Sequence, residues 1–254
     1  MTIAYYDNYA KEYADLTVNA DMSKQYAKFM AYLPTGASIL DVNDGDVAKR
    51  NVKSNQSIIL DVSSASRENV ARGQVKILDA GCGSGRDSLY FMKKGYAVTM
   101  LDASAEMCKC AERLTGQKAL HMQFEDINFE NRFDGIWACA SLLHVPEKKL
   151  ETIFEKFWRA LKDNGILYAS WKYGELERYD GERFYCDMTG EKLKNVLARA
   201  ITTKHLQNAN LFSETYDCAG DANLFECLDC WVAEDVLPLD REQKWLNVVL
   251  RKSY

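Results

Sequence analysis

A chain of 254 residues, 47% hydrophobic and 27% charged, has the composition of a globular protein and the length for one elaborated domain around a sizeable core. Its net charge of −5 argues against a general nucleic-acid or membrane-surface binder, and no apolar run approaches the ~18 residues of a membrane-spanning helix. Met1-Thr2-Ile3-Ala4-Tyr5-Tyr6-Asp7 lacks the basic and apolar regions of a signal peptide, and the eight cysteines are scattered, so reduced thiols and a cytoplasmic location are expected.

Residues 3–16 carry Tyr5, Tyr6, Tyr9 and Tyr13 among alanines and acids, a pattern for a helix or a loop followed by one. Apolar residues recur at helical spacing over 21–33, and Pro34-Thr35-Gly36 closes that helix. Three similar strand-end tripeptides follow: Ile39-Leu40-Asp41, Ile59-Leu60-Asp61 and Ile77-Leu78-Asp79. They are either a degenerate repeat or a coincidence. Only the third leads into glycines.

That third stretch, Ile77-Leu78-Asp79-Ala80-Gly81-Cys82-Gly83-Ser84-Gly85-Arg86-Asp87, reads as a buried strand, a glycine turn and the start of a helix. Glycines let the backbone turn tightly and let a ligand approach without a Cβ in the way. A dinucleotide fingerprint would run G-x-G-x-x-G, whereas here the third glycine comes one position early. The acid two residues before Gly81, with G-x-G-x-G, resembles motif I of class I S-adenosylmethionine (SAM) methyltransferases. The resemblance implies that Asp79, Ala80, Gly81, Gly83, Gly85 and Arg86 face the cofactor, and that Tyr5 and Tyr13 belong to an N-terminal segment folded over it. It implies likewise that Asp102, at the tip of strand 96–101, accepts both ribose hydroxyls beside Ala103 and Met107.

Helix 104–115 and strand 118–122 come next, then Glu125-Asp126-Ile127-Asn128. In the resembling fold this turn receives adenine, with Glu125 and Asp126 as polar contacts and Ile127 packing on the ring; the alternative is a solvated turn. The run from Phe133 to Pro146 has a buried strand (135–140), a small-residue loop and His144. It resembles bacterial small-molecule methyltransferases of the tellurite-resistance and thiopurine type. Ala138, Cys139 and Leu142 are then expected at the cofactor, and His144 either handles the acceptor or caps the next helix. Helix 147–161 has a core stripe of Leu150, Ile153, Phe154, Phe157, Trp158 and Leu161. Asn164-Gly165 ends it, strand 166–171 follows, and Tyr173 opens a loop placed at the substrate mouth as a second catalytic candidate.

The resemblance covers 5–36, 75–200 and 227–252. It implies an α/β fold: a Rossmann-like doubly wound seven-stranded sheet of order 3-2-1-4-5-7-6, the last strand antiparallel, with two insertions. The expected domain runs over 1–254, with 1–36 as a helical lid, 37–74 and 201–226 as insertions, 75–200 as the SAM-binding core and 227–254 as C-terminal strands. The insertions offer a surface for a homo-oligomer or a protein partner. Cys227-x-x-Cys230 with Cys218 and His205 gives either a partial zinc pattern or packing cysteines; a second C-x-x-C is lacking, and no metal is expected.

Neither an Asn/Asp-Pro-Pro-aromatic signature nor a Pro-Cys dipeptide occurs, which disfavours the corresponding adenine or glutamine amino methylation and cytosine C5 chemistry. The expected function is SAM-dependent methyl transfer to a small-molecule acceptor, without nucleic acid or membrane. The acceptor is left open among thiol, chalcogen oxyanion, amine and hydroxyl. The alternatives are a SAM-binding regulatory or interaction protein on the same fold and a dinucleotide-dependent oxidoreductase.

Overall fold

The computed structural model describes residues 2–34, 74–208, 224–237 and 242–253. The tripeptides at 39–41 and 59–61, the first expected insertion apart from Gln74, residues 209–223 of the second, Cys218 and the His205 side chain lie outside them. The N-terminal segment forms α1 (Thr2–Asn8), α2 (Ala10–Thr17) and α3 (Ser23–Tyr32). Two strand–helix units and two further strands follow: β1 (Lys76–Ala80), α4 (Arg86–Lys93), β2 (Ala97–Asp102), α5 (Ala105–Thr115), β3 (Ala119–His121) and β4 (Phe133–Ala138). The remainder is α6 (Glu147–Ala160), β5 (Leu161–Lys172), β6 (Glu177–Asp180), β7 (Arg183–Cys186), α7 (Gly190–Asn208), β8 (Phe225–Glu234) and β9 (Lys244–Lys252).

Seven strands form one sheet in the order β3-β2-β1-β4-β5-β9-β8. β1 pairs in parallel with β2 and β4, whereas β9 runs antiparallel to both β5 and β8. This is the expected 3-2-1-4-5-7-6 order, with β8 and β9 as its sixth and seventh strands. The chain reverses between β1 and β4, so a crevice opens beyond their carboxyl ends, where ligands bind in such sheets.

Both faces of the sheet are covered. Phe29, Phe91, Trp137 and Tyr168 fill the face under α3 and α4, while Phe154, Phe157, Trp171 and Val196 fill the other under α6 and α7. Burying each such aromatic contributes about 2–3 kcal/mol before entropy is counted. A Cβ on Gly135 would stand 2.7 Å from Phe29 and Leu33, so α3 packs directly on the backbone of β4. No helix of the described residues is long and apolar enough to cross a membrane.

Several boundaries differ from the sequence expectation. The N-terminal segment breaks at Tyr9 into two helices. α6 stops at Ala160, and Leu161 already pairs with Phe133. Asn164, expected as a helix terminator, instead takes φ 61 in an irregularity of β5, where the pairing shifts between Phe133 and Gly135. Local turn chemistry was legible there, but not the strand pairing on its far side. α7 continues to Asn208 and β8 begins at Phe225, each reaching into the stretch expected as an insertion. The β6–β7 hairpin was not expected: Glu177-Arg178-Tyr179-Asp180 and Arg183-Phe184-Tyr185-Cys186 have no clean alternation of apolar and polar residues.

Candidate active site

The glycine turn after β1 is anchored on β2, where the Gly81 and Cys82 amides both donate to the Leu101 carbonyl at 2.9 Å. Gly81 has φ 82, and a Cβ there would overlap that of Ser141, whose hydroxyl donates to the Ala80 carbonyl at 2.7 Å. The turn after β4 is therefore seated directly on the glycine turn. Gly83 has φ 52, and a Cβ on it would meet nothing within 4 Å. Its backbone borders open space and leaves room for a ligand.

Two adjoining chambers lie over these turns. The larger, about 320 Å³, is lined by Tyr6, Tyr13, Asp102, Met107, Phe124 and His144 among others. The smaller, about 120 Å³, runs from the glycine turn across the carboxyl edge of β5 to the ends of β8 and β9. Tyr13, Gly81, Gly83, Cys139 and Ala140 line both, so the two share a wall. Ala140 holds φ 50 there, an uncommon conformation for a residue with a Cβ, and its amide donates to the Ser170 hydroxyl at 2.9 Å.

Asp102 lines the larger chamber. One carboxylate oxygen accepts from the Gly83 amide at 2.8 Å and the other from the Ser104 amide at 2.9 Å. Each oxygen keeps a further lone pair, which suits a ligand with two neighbouring hydroxyls. Burial pushes its pKa up, while these amides oppose the shift. Ser104 caps α5 through the Met107 amide and donates its hydroxyl to Asp7 of α1 at 2.6 Å.

The acids of the glycine-turn motif occupy different environments. Asp79 accepts from the Ser88 hydroxyl, is buried, and stands outside both chamber walls. Burial, and then the neighbouring Asp87 charge, raise its pKa. Asp87 receives two hydrogen bonds from Arg86, at 2.6 and 3.0 Å, one from the Trp137 indole at 2.8 Å and one from the Tyr26 hydroxyl. Its burial raises the pKa, but Arg86 and these donors outweigh burial and hold the carboxyl below its usual range. Arg86 also donates to the Thr17 carbonyl at 3.2 Å, linking α2 to the floor of the smaller chamber.

α1 forms the roof. The Tyr6 hydroxyl lies 2.8 Å from Nε2 of His144, and Nδ1 of His144 lies 2.7 Å from the Phe184 carbonyl. A carbonyl only accepts, so Nδ1 carries the proton and Nε2 accepts from Tyr6. Burial lowers the His144 pKa to about 4; Arg183 and Lys172 push the same way against the Phe184 hydrogen bond. The imidazole is neutral at pH 7 with both nitrogens engaged. The Phe184 amide also donates to the Thr2 hydroxyl at 2.9 Å, and Arg183 lies over the Tyr5 ring at 4.7 Å.

Of the residues named from sequence, Tyr13, Gly81, Gly83, Asp102, Ala103, Met107, Glu125, Cys139 and His144 line the larger chamber, and Arg86 lines the smaller. Gly85 packs against Ala111 of α5 instead. Ile127, Ala138, Ala80 and Leu142 are in the core, Asp126 is exposed, and Tyr5 packs on Tyr6 and Tyr9. Tyr173 is 45% exposed and stands outside both walls. Cys227 and Cys230 are exposed on β8. Sequence reasoning missed Phe124, Thr17, Gln25, Tyr168, Ser170, Trp245 and Asn247, all of which line a chamber. Phe124 beside Glu125 and the alternation of Tyr168 and Ser170 at the end of β5 were the available signals.

Comparison with known proteins agrees with this geometry. Residues 77–165 match a family model described as a methyltransferase domain. YqeM of Bacillus subtilis, named provisionally as a methyltransferase, is 33% identical over 112 residues, covering 40% of this chain and 45% of that protein. The match thus spans less than half of that relative. A TehB-like SAM-dependent methyltransferase from Corynebacterium glutamicum superposes with a TM-score of 0.57 at 18% identity, covering 98% of this chain and 99% of that one. The Burkholderia thailandensis 1,6-didemethyltoxoflavin-N1-methyltransferase, solved with its substrate and S-adenosylhomocysteine, gives a TM-score of 0.51 at 22% identity, covering 71% of this chain and 72% of that one. The glycine turn and sheet order are those of the class I SAM-dependent methyltransferase fold, and residues 77–165 are similar to a methyltransferase domain.

Proposed function

We propose that the protein is a SAM-dependent methyltransferase acting on a small-molecule acceptor. The observation that carries the reading is Asp102: a cleft-lining carboxylate fixed by the Gly83 and Ser104 amides, beside the open face of the glycine turn. The residues present fit the cofactor. Asp102 would accept the ribose hydroxyls, Phe124 and Met107 would pack on adenine, and Tyr13 with the Gly81–Gly83 backbone would hold the amino-acid end. When bound, SAM supplies a methyl group already activated by its sulfonium, so the protein's work is placement of the acceptor and exclusion of water.

His144 acts as a positioning residue in this reading. Its Nε2 is spent on Tyr6 of the roof and its Nδ1 on the Phe184 carbonyl of β7, and its neutral state serves both bonds. The modest volumes of the chambers and the net charge of −5 favour a small molecule over a nucleic acid. Free thiols among the described cysteines fit a reducing cytoplasm. The first stretch, 37–74, and the part of the second between α7 and β8, 209–224, read as insertions into one domain. Gln74 and Leu224 lie at the amino ends of β1 and β8, the edge opposite the glycine turn, so a homo-oligomer or protein partner could use that side without obstructing the cleft.

The experiment is calorimetric titration with SAM and S-adenosylhomocysteine. Micromolar binding, weakened at least about tenfold by Asp102→Ala through loss of hydrogen bonds to a charged group, is expected. Absence of binding by folded wild-type protein would overturn the reading and leave a non-catalytic role for the fold.

A further inference from the structure

Two polar side chains on the wall of the smaller chamber are left unpaired by the protein itself. Gln25 and Ser84, 6% and 7% exposed, both line it, and among the described residues neither side chain has a hydrogen-bond partner. Their polar atoms nonetheless keep accessible surface, so within residues this buried they open onto the chamber. Gln25 is the third residue of α3, from where a glutamine amide can reach back to the N–H of the residue before the helix in a capping box. It makes no such bond to Met22. Neither Gln25 nor Ser84 lines the larger chamber, which takes the adenosine end of the cofactor in the reading above.

The rest of the buried wall is neutral or closed on itself. Arg86 is held by Asp87 through two hydrogen bonds. Burial pushes the Cys139 thiol up to about 12 and raises the Tyr13 and Tyr168 hydroxyls above their usual value, so all three keep their protons at pH 7. Tyr168 donates to the Asn247 amide oxygen at 2.7 Å, and Ser170 accepts from the Ala140 amide at 2.9 Å. Farther out, Glu234 is exposed at the end of β8 and Asp235 accepts from the Leu237 amide at 3.0 Å. A charged ligand on the buried part of this wall would give up its hydration without gaining a counter-ion. An uncharged one needs only its polar atoms matched.

We propose that the smaller chamber holds an uncharged acceptor by its carboxamide or lactam group, and that Gln25 selects it. The proposal rests on the methyltransferase reading and names the acceptor class for it. A glutamine side chain presents an N–H donor and a C=O acceptor in one plane. Another amide satisfies both at once through paired N–H···O=C hydrogen bonds, whereas a ketone or a carboxylate accepts but cannot donate. A site built on such a pair rejects the analogue that leaves one of its buried groups unmatched. The Ser84 hydroxyl is free for a further polar atom of the same ligand, and a volume of about 120 Å³ suits a single ring with a short substituent. In the transfer, the lone pair of the acceptor's nucleophilic atom forms the bond to the methyl carbon as the S–CH₃ electron pair returns to sulfur. A proton carried by that atom leaves to water.

The test uses the protein saturated with S-adenosylhomocysteine, so that binding is read without turnover. Benzamide, acetophenone and benzoate share one shape and carry a donor with an acceptor, an acceptor alone, and a negative charge. Titrated by NMR at pH 7, benzamide should bind wild type about tenfold more tightly than either analogue and should shift the side-chain amide resonances of Gln25. Gln25→Met keeps the length of the side chain and removes both hydrogen-bonding groups. In that variant benzamide should fall to the level of acetophenone, with acetophenone itself bound as before. Unchanged S-adenosylhomocysteine affinity and melting temperature would establish that the variant is folded, and the three-probe comparison on wild type decides the matter even where it is not. Equal binding of benzamide and acetophenone, no benzamide binding at millimolar concentration, unmoved Gln25 resonances, or a preference that survives in Gln25→Met would overturn the proposal. So would a loss of S-adenosylhomocysteine affinity in folded Gln25→Met, which would assign the side chain to the cofactor. Failure of folded wild type to bind S-adenosylhomocysteine is a separate outcome: it would overturn the methyltransferase reading, and the acceptor assignment with it.

Discussion

The Tyr6 hydroxyl donates to Nε2 of His144 across 138 residues of sequence, and this contact fastens the roof helix to the turn after β4. Tyr6→Phe removes the donor but keeps the ring, whose edge-on contacts with Tyr5 and Tyr13 remain. A net hydrogen bond contributes about 0.5–1.5 kcal/mol. We expect SAM affinity to fall about two- to tenfold, with faster amide exchange in α1 and little change in α4–α6. Hydrogen exchange by mass spectrometry checks this; an exchange rate in α1 equal to wild type would show that the hydroxyl does not hold the roof.

His144 makes a second, pH-dependent prediction. Its folded pKa, lowered to about 4, lies below the unfolded value of about 6.5. The unfolded chain therefore binds more protons between these limits, and this residue's contribution is complete above pH 6.5 and lost as pH falls toward 4. His144→Asn retains an amide donor for the Phe184 carbonyl but cannot titrate. Urea unfolding at a series of pH values should show wild type losing more stability than the variant between pH 6.5 and 4. Parallel curves would mean that His144 titrates normally in the folded protein.

Why the cleft was legible and its outer chamber was not follows from where each signal resides. Gly81, Gly83 and Asp102 announce themselves locally, because a turn needing positive φ and an acid closing a strand are properties of a few adjacent residues. Asp79 and Asp102 look alike in sequence, both acids at strand ends. Only tertiary structure turns Asp79 beneath the loop toward Ser88 and leaves Asp102 on the chamber wall. Asn247 reaches the cleft because β9 returns antiparallel beside β5, and Glu234 because β8 pairs with β9 in turn, long-range pairings that spacing does not encode. His144 stood out in sequence, but its partners Tyr6 and Phe184 come from elements far along the chain.

Two glycines separate backbone strain from steric overlap. Gly95 has φ 88 with nothing within 4 Å of a built Cβ, whereas Gly81 has φ 82 and would overlap Ser141. Gly95→Ala should cost about 1–2 kcal/mol, the penalty of a left-handed conformation alone. Gly81→Ala adds the displacement of the β4 turn, about 1–3 kcal/mol more, and should also weaken SAM binding. Denaturant unfolding of both variants gives the difference directly. Equal losses would show that the Ser141 turn yields freely.

The knot around Asp87 ties α3 and α4 to the sheet, since its donors come from α3 (Tyr26), α4 (Arg86) and β4 (Trp137). Removing one partner of a buried pair leaves the other charge desolvated, at a cost of about 3–5 kcal/mol. Asp87→Ala strands Arg86 and two further donors, so its loss should fall in that range. The Lys28–Asp229 pair makes the control: its lysine side chain is 42% exposed, and solvent-screened pairs contribute about 0–1 kcal/mol. Lys28→Ala should therefore leave the unfolding midpoint nearly unchanged. A small loss in Asp87→Ala would mean that water reaches Arg86 in the variant, and SAM titration would then show whether the smaller chamber had opened.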